Sequence, residues 1–237
     1  MLSSYKNAWS DFYQILDSLL RSQEISAVLE IGGGARPFLT EEQVNQYGIR
    51  YVVIDSSFDE LEKSKAAYFD PRVVDLSNET IEEKYDLIFS KMLLEHMEHP
   101  DEFHHNILKA MHHQSIVVHF YACRYSLHAI INKMLPSSWT DFIVYKLQGR
   151  NPEKQGKFKA YYKKCLGPTK KERRYFENLG YQISTFNGYL GHDYLKRIYI
   201  LSIIERIYSN LLVRIGSSSL CSNAIIKLHL ETKSTIT

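Results

Sequence analysis

Short runs of β-branched and aromatic residues recur along the chain, each followed by a stretch with helical spacing, and this alternation constrains the fold more than any other feature. Each parallel strand must be re-entered through a crossover, so the pattern demands a mostly parallel sheet with helices on both faces. Strands are read at 27–31 (AVLEI), 50–54 (RYVVI), 72–75 (RVVD), 85–90 (YDLIFS) and 115–121 (SIVVHFY), interleaved with helices near 4–21, 40–47 and 100–112. Residues 122–167 break the rhythm and read as an insertion. It resumes where Pro168, Thr169 and Glu172 open a helix as a T-x-x-E capping box ended by Gly180. Strands at 181–186 and 223–230 then flank a long helix around 190–215. At 237 residues the chain is too short for two ordinary domains and a linker, so a single domain over 1–237 is expected, with 122–167 and 187–217 as additions on its ligand side.

A hydrophobic share of 44% with 24% charged residues excludes collagen-like, coiled-coil and wholly disordered classes. Cys123, Cys165 and Cys221 are odd in number and never form CxxC, which argues against a disulfide framework or structural zinc site. The first twenty residues lack the pattern of a secretory signal, so a cytoplasmic location is expected. Net charge is only +2, but it is unevenly spread. From Asp55 to Glu102 there are 14 acidic and 5 basic residues; from Lys146 to Arg174 there are 11 basic and 2 acidic. One region repels anions and another attracts them.

The strand at 27–31 runs straight into Gly32, Gly33 and Gly34. Glycines there let a ligand approach the backbone, although a turn alone would use them too. Asp55 ends the second strand, where an acidic side chain can accept from both hydroxyls of a ribose, and Asp75 is expected to end the third. A helix-capping role accounts for either acid alone, less well for both. Pro37 stands where a dinucleotide fingerprint wants a third small residue, and Glu30 would repel a pyrophosphate. A carboxylate suits an ammonium instead. S-adenosylmethionine, an adenosine with an ammonium and a sulfonium but no phosphate, fits this charge.

The segments E-I-G-G-G-A-R-P at 30–37, Asp55, V-D-L at 74–76 and Y-D-L-I-F-S-K-M-L-L-E-H-M at 85–97 resemble the class I S-adenosylmethionine-dependent methyltransferases. The resemblance spans roughly residues 25–121 and is greatest to the small single-domain type with an E-H pair after the fourth strand. It implies a Rossmann-like α/β fold of seven strands, the last antiparallel. It also implies that Gly32, Gly33 and Gly34 face the methionine part of the cofactor and that Glu30 holds the ammonium, directly or through water. Asp55, with Ser56 beside it, would take the ribose and Asp75 with Leu76 the adenine edge, while Ser90 and Lys91 would line the pocket. The family's Lys-Pro-Gly-Gly turn is replaced by His112-His113-Gln114.

Methyl transfer to a hydroxyl needs a base, and His96 is the first candidate because it follows the fourth strand and titrates near neutrality. His119 is second, with Tyr121 beside it on the acceptor side. The group His96, His99, His104, His105, His112 and His113 has no convergent ligand spacing, so a solvated-helix reading is preferred and no metal is expected. Arg150, Lys154, Lys157, Lys159, Lys163 and Lys164 surround Phe158, Tyr161 and Tyr162, a pattern that attracts phosphate and stacks on a sugar or base, or simply forms a solvated face. Arg124, Tyr161, Tyr162 and Lys163 are therefore expected to touch the acceptor. The run from Phe120-Tyr121 through Asn132 and Leu135-Pro136 to Lys159-Ala160-Tyr161-Tyr162 resembles methyltransferases of bacterial glycan assembly.

Helix 190–215 carries Leu195, Ile198, Leu201, Ile204, Ile207, Leu211 and Ile215 at three-four spacing, with Lys196, Arg197, Arg206 and Arg214 as cations; it covers the sheet, pairs two copies or touches a membrane. The expected activity is O-methylation of a saccharide or glycan-linked acceptor, with nucleic-acid methylation and a non-catalytic adenosine-binding scaffold as alternatives.

Overall fold

The computed structural model describes residues 1–22, 24–64, 66–126, 129–130, 159–192 and 199–231. Asn132, Leu135, Pro136, Arg150, Lys154, Lys157, Phe158, Leu195, Lys196, Arg197 and Ile198 lie outside them, as does the Leu201 side chain.

Among the described residues eight strands form one sheet: β1 (Leu2–Ser4), β2 (Ala27–Ile31), β3 (Arg50–Asp55), β4 (Asp70–Val73), β5 (Tyr85–Lys91), β6 (Met111–Ala122), β7 (Tyr181–Leu190) and β8 (Asn223–Leu230). Their order is β1-β7-β8-β6-β5-β2-β3-β4. β8 runs antiparallel to β6 and β7, and every other pairing is parallel. The carboxyl ends of β2 to β7 therefore share one edge, where ligands of open α/β sheets bind.

The α-helices among the described residues are α1 (Ala8–Leu20), α2 (Glu41–Tyr47), α3 (Phe58–Glu62), α4 (Pro100–Lys109), α5 (Lys170–Asn178) and α6 (Tyr199–Ile215). One face of the sheet packs against α1, α2 and α3, and the other against α4, α5 and α6. The period of two sorts each strand between them: Leu29 and Ile31 join the layer of Phe103 and Ile107, while Val28 joins that of Phe12 and Leu16. α1 buries Ala8, Phe12, Leu16 and Leu20, one residue per turn, each at 3% exposure or less. Burial of a side chain such as Phe12 contributes about 1.5–3 kcal/mol. α2 is closed at both ends, by a capping box between Thr40 and Gln43 and by Gly48 at φ 62°.

The sheet has eight strands where seven were expected. The added β1 lies just ahead of the expected first helix, overlapping it only at Ser4, and pairs Leu2, Ser3 and Ser4 with Gly188, Tyr189 and Leu190. Three residues are too few to show a strand period. β4 ends at Val73, so Asp75 lies two residues beyond the strand and not at its end. β6 begins at Met111, and His112-His113-Gln114 are strand rather than turn, held by Ser115 Oγ accepting from the His112 amide at 2.7 Å. β7 runs on to Leu190 because Gly188 lets it pass close to Pro168 and Cys221.

Candidate active site

β2 delivers Glu30 into the ligand edge and then turns sharply. Gly32 and Gly34 have φ of 72° and 43°, in the left-handed region that favours glycine. A Cβ on Gly32 would come 2.8 Å from Leu93, one on Gly33 would collide with Val53, and one on Gly34 would stand 2.8 Å from Asp55 Oδ2. The loop is thus a cradle that side chains would fill.

Glu30 is fully buried and ionically paired. Its Oε2 accepts from the Phe38 amide at 2.8 Å and from the Tyr51 hydroxyl, while Oε1 accepts from the Lys91 ammonium. Lys91 also donates to the Arg36 carbonyl at 3.0 Å, bridging β5 to the end of the glycine loop. An ammonium does lie on Glu30, and it is the chain's own.

Asp55 ends β3. Its Oδ1 accepts from the Ser57 amide at 3.0 Å, a local capping bond, and its Oδ2 faces Gly34. Burial first, then the charges of Glu60 and Glu30, push this carboxyl above its ordinary range. Asp75 accepts from the Ser77 amide and the Asn78 side chain, both at 2.9 Å, so both of its oxygens are engaged in a turn. Leu76 is buried and Ser56 exposed beside these acids.

After β5 the chain passes Met92, at φ 50°, into a short 3-10 turn, Leu94–His96. The returning end of the insertion folds onto this turn. The Tyr161 and Tyr162 amides donate to the Glu95 carbonyl at 2.8 and 2.9 Å, and Lys163 donates to the Glu98 carbonyl at 2.8 Å. Tyr162 and Lys164 take φ of 51° and 54°, strain of a kind that collects at functional sites. His96 Nδ1 lies 2.9 Å from the Lys159 carbonyl, which can only accept, so Nδ1 carries the proton and Nε2 the lone pair. Burial lowers the His96 pKa and favours the neutral ring.

His119 and Ser90 are fully buried in the layer beneath α4, with Ser90 Oγ 2.7 Å from His119 Nδ1 and the His119 ring against Phe103 and His104. His119 shares the facing of Val117 and Tyr121, toward α4. His104 is also buried, not solvated, and desolvation pushes its pKa down to about 3. Tyr121 is wholly buried. Arg124 and Lys163 do share an open cavity of about 420 Å³ with Glu98, Asp101, Tyr125, Lys164 and Lys171. The aromatic rings of this region are covered by the chain's own cations: Lys159 lies 4.5 Å from the Tyr161 centroid and Lys164 4.7 Å from that of Tyr175. Among the described residues no three His, Cys, Asp or Glu side chains gather as metal ligands.

Sequence reasoning missed three features. Tyr51 supports Glu30 from the neighbouring strand, 21 residues away. Glu95, in the Glu-His pair, is 3% exposed, and burial pushes its carboxyl up to about 7. His192, just past β7, pairs with Glu205 of α6 inside the protein. Only the helical offset of Glu205 could have signalled the last, and its partner lies outside the helix.

A doubly covered, mostly parallel sheet with one antiparallel strand, β8, between β6 and β7, and a glycine cradle flanked by Glu30 and Asp55, is a Rossmann-like α/β fold with its ligand edge at the carboxyl ends of the parallel strands. A family model described as "Methyltransferase domain" matches residues 5–183. Solved structures share the fold. DhpI in its SAH complex aligns over 96% of this chain and 88% of its own, at 12% identity and TM-score 0.52. Coclaurine N-methyltransferase bound to N-methylheliamine and SAH aligns over 92% and 70%, at 14% identity and TM-score 0.56. A SAM-dependent methyltransferase from Archaeoglobus fulgidus aligns over 91% and 93%, at 15% identity and TM-score 0.53. A search of curated proteins finds no match. The chain belongs to the methyltransferase-domain family and is a class I S-adenosylmethionine-dependent methyltransferase.

Proposed function

We propose that the protein O-methylates a saccharide or glycan-linked acceptor on the cytoplasmic side, using one methyltransferase domain whose insertion at 122–167 and the segment after β7 form the acceptor side. The observation that carries this reading is His96: a half-buried imidazole at the ligand edge, neutral, with its Nδ1–H fixed on the Lys159 carbonyl. With Nδ1 as the donor, Nε2 is the nitrogen that would take the proton of a hydroxyl acceptor, whereas amine and thiolate acceptors need less help.

S-adenosylmethionine supplies a methyl on a sulfonium. In this reading Gly32, Gly33 and Gly34 admit its amino-acid end, Asp55 and Ser56 bind the ribose, and Asp75 and Leu76 border the adenine. Glu30 and Lys91 form a paired floor: the carboxylate meets the cofactor's ammonium beside or in place of Lys91. The chain's remaining work is alignment and exclusion of water, which can supply about 7–11 kcal/mol. The strap at 159–164 closes over the turn that carries His96, and Arg124 and Lys163 favour an acceptor with anionic groups.

Incubation with cofactor labelled in the methyl group and with fractionated glycan, lipid and RNA extracts tests the proposal. Label is expected in the glycan or glycolipid fraction, with His96→Gln slowing transfer by about 10²- to 10⁴-fold while cofactor affinity is kept. Label in RNA would transfer the assignment to nucleic acid. No label in any fraction would leave a silent cofactor-binding scaffold.

A further inference from the structure

The exposed large apolar side chains among the described residues concentrate on one helix. Ile204, Ile207, Leu211 and Ile215 of α6 are 58%, 63%, 51% and 58% exposed, and steps of three, four and four put them on a single stripe. The helix is held by its other side, where Glu205, Ser209 and Leu212 are buried. Arg206 and Arg214 are exposed, and the sole carboxylate in α6, Glu205, is buried against His192. The solvent side is therefore apolar and cationic, with no anion of its own.

α6 also sits at the ligand edge. It is reached from the carboxyl end of β7 and leads to Asn223, which pairs with Ala122 of β6 and Tyr189 of β7. Its middle is pinned there, since a Cβ on Gly191 would collide with Ser209, and the His192 amide donates to Ser209 Oγ at 3.1 Å. An exposed apolar stripe of this kind, rimmed by charge, is the form a contact surface takes. Flanking arginines without acids match a surface of apolar interior and anionic headgroups. No helix among the described residues is long and apolar enough to cross a membrane, so such a contact lies on the surface.

We infer that the Ile204–Ile207–Leu211–Ile215 stripe of α6, with Arg206 and Arg214, seats the protein on an anionic lipid bilayer and brings the ligand edge to the headgroup layer. The inference is independent of which acceptor is methylated.

Flotation with vesicles of phosphatidylcholine alone, and of phosphatidylcholine mixed with phosphatidylglycerol, tests it. Binding is expected to the mixed vesicles only, and to weaken as salt is raised. Ile207→Asp with Leu211→Asp should abolish it, and Arg206→Glu with Arg214→Glu should weaken it roughly tenfold or more. All four positions are exposed, so melting temperature and cofactor affinity should stay at wild-type values in both variants. Absence of binding to either vesicle, or binding that both variants retain, would overturn the inference. So would a wild-type dimer in sedimentation velocity that the aspartate variant converts to monomer, since the stripe would then join two copies.

Discussion

At Gly33 the backbone would accept an alanine and the space would not. Its φ lies outside the left-handed region, yet a Cβ would collide with Val53 and come 3.1 Å from the Glu30 carboxyl carbon. Gly33→Ala is expected to destabilise the fold by about 1–3 kcal/mol and to weaken cofactor binding as the cradle fills, which thermal melts and isothermal titration would measure. His96 sets a second expectation. A base acts in its neutral form, so transfer falls as pH drops through its pKa; burial lowers that pKa, so the acid limb of kcat/KM should lie below the ordinary value of about 6.5. An acid limb above that value would exclude His96 as the group observed. The positions of Glu30 and Asp55 near the carboxyl ends of β2 and β3 were legible because each lies in or closes a short β-rich run. The orientation of Ser90 and His119 was not. In a strand covered on both faces, apolar residues occupy both parities, and alternation does not say which layer a polar residue enters.

The capping box at 169–172 was readable as an element boundary, but only its threonine half forms. The Thr169 side chain accepts from the Glu172 amide at 3.2 Å, while the Glu172 carboxyl turns inward, fully buried, beside Tyr121. Burial pushes that carboxyl from 4.5 up to about 8. The folded protein thus holds a proton that the unfolded chain has lost, and this group's favourable share is full below about pH 4.5 and lost as pH rises through about 8. Glu172→Gln should flatten stability between those limits and raise it at pH 8 by on the order of 3 kcal/mol in denaturant titrations. A variant with the wild-type pH slope would show that the carboxyl is ionised in place. Strand ends followed the same logic of pairing over local pattern. Val73 closes β4 because it stands opposite Asp55, the last residue of β3, and no apolar period could reveal that register. β1 exists because β7 offers an open edge to three residues.

Over the whole molecule, the acidic stretch from Asp55 to Glu102 crosses the carboxyl ends of β3 to β5, and the described part of the basic stretch straps the turn after β5. The two stretches meet in space, where Glu98, Asp101 and Glu102 share one cavity with Arg124, Lys163, Lys164 and Lys171. A ligand that binds only the folded chain stabilises it by about 2.7 kcal/mol at a hundredfold excess over its Kd. For a chain of this size that corresponds to a rise in melting temperature of roughly 5–10 °C with S-adenosylmethionine. NAD, whose pyrophosphate would meet Glu30 and Asp55, should give no such rise. Asp55 is half-buried at the edge of the sheet, so Asp55→Ala should melt near the wild type without ligand and lose most of the rise with it. Equal shifts in the two proteins would place the nucleoside away from β3, and a larger shift with NAD would overturn the charge argument on which the crevice was assigned.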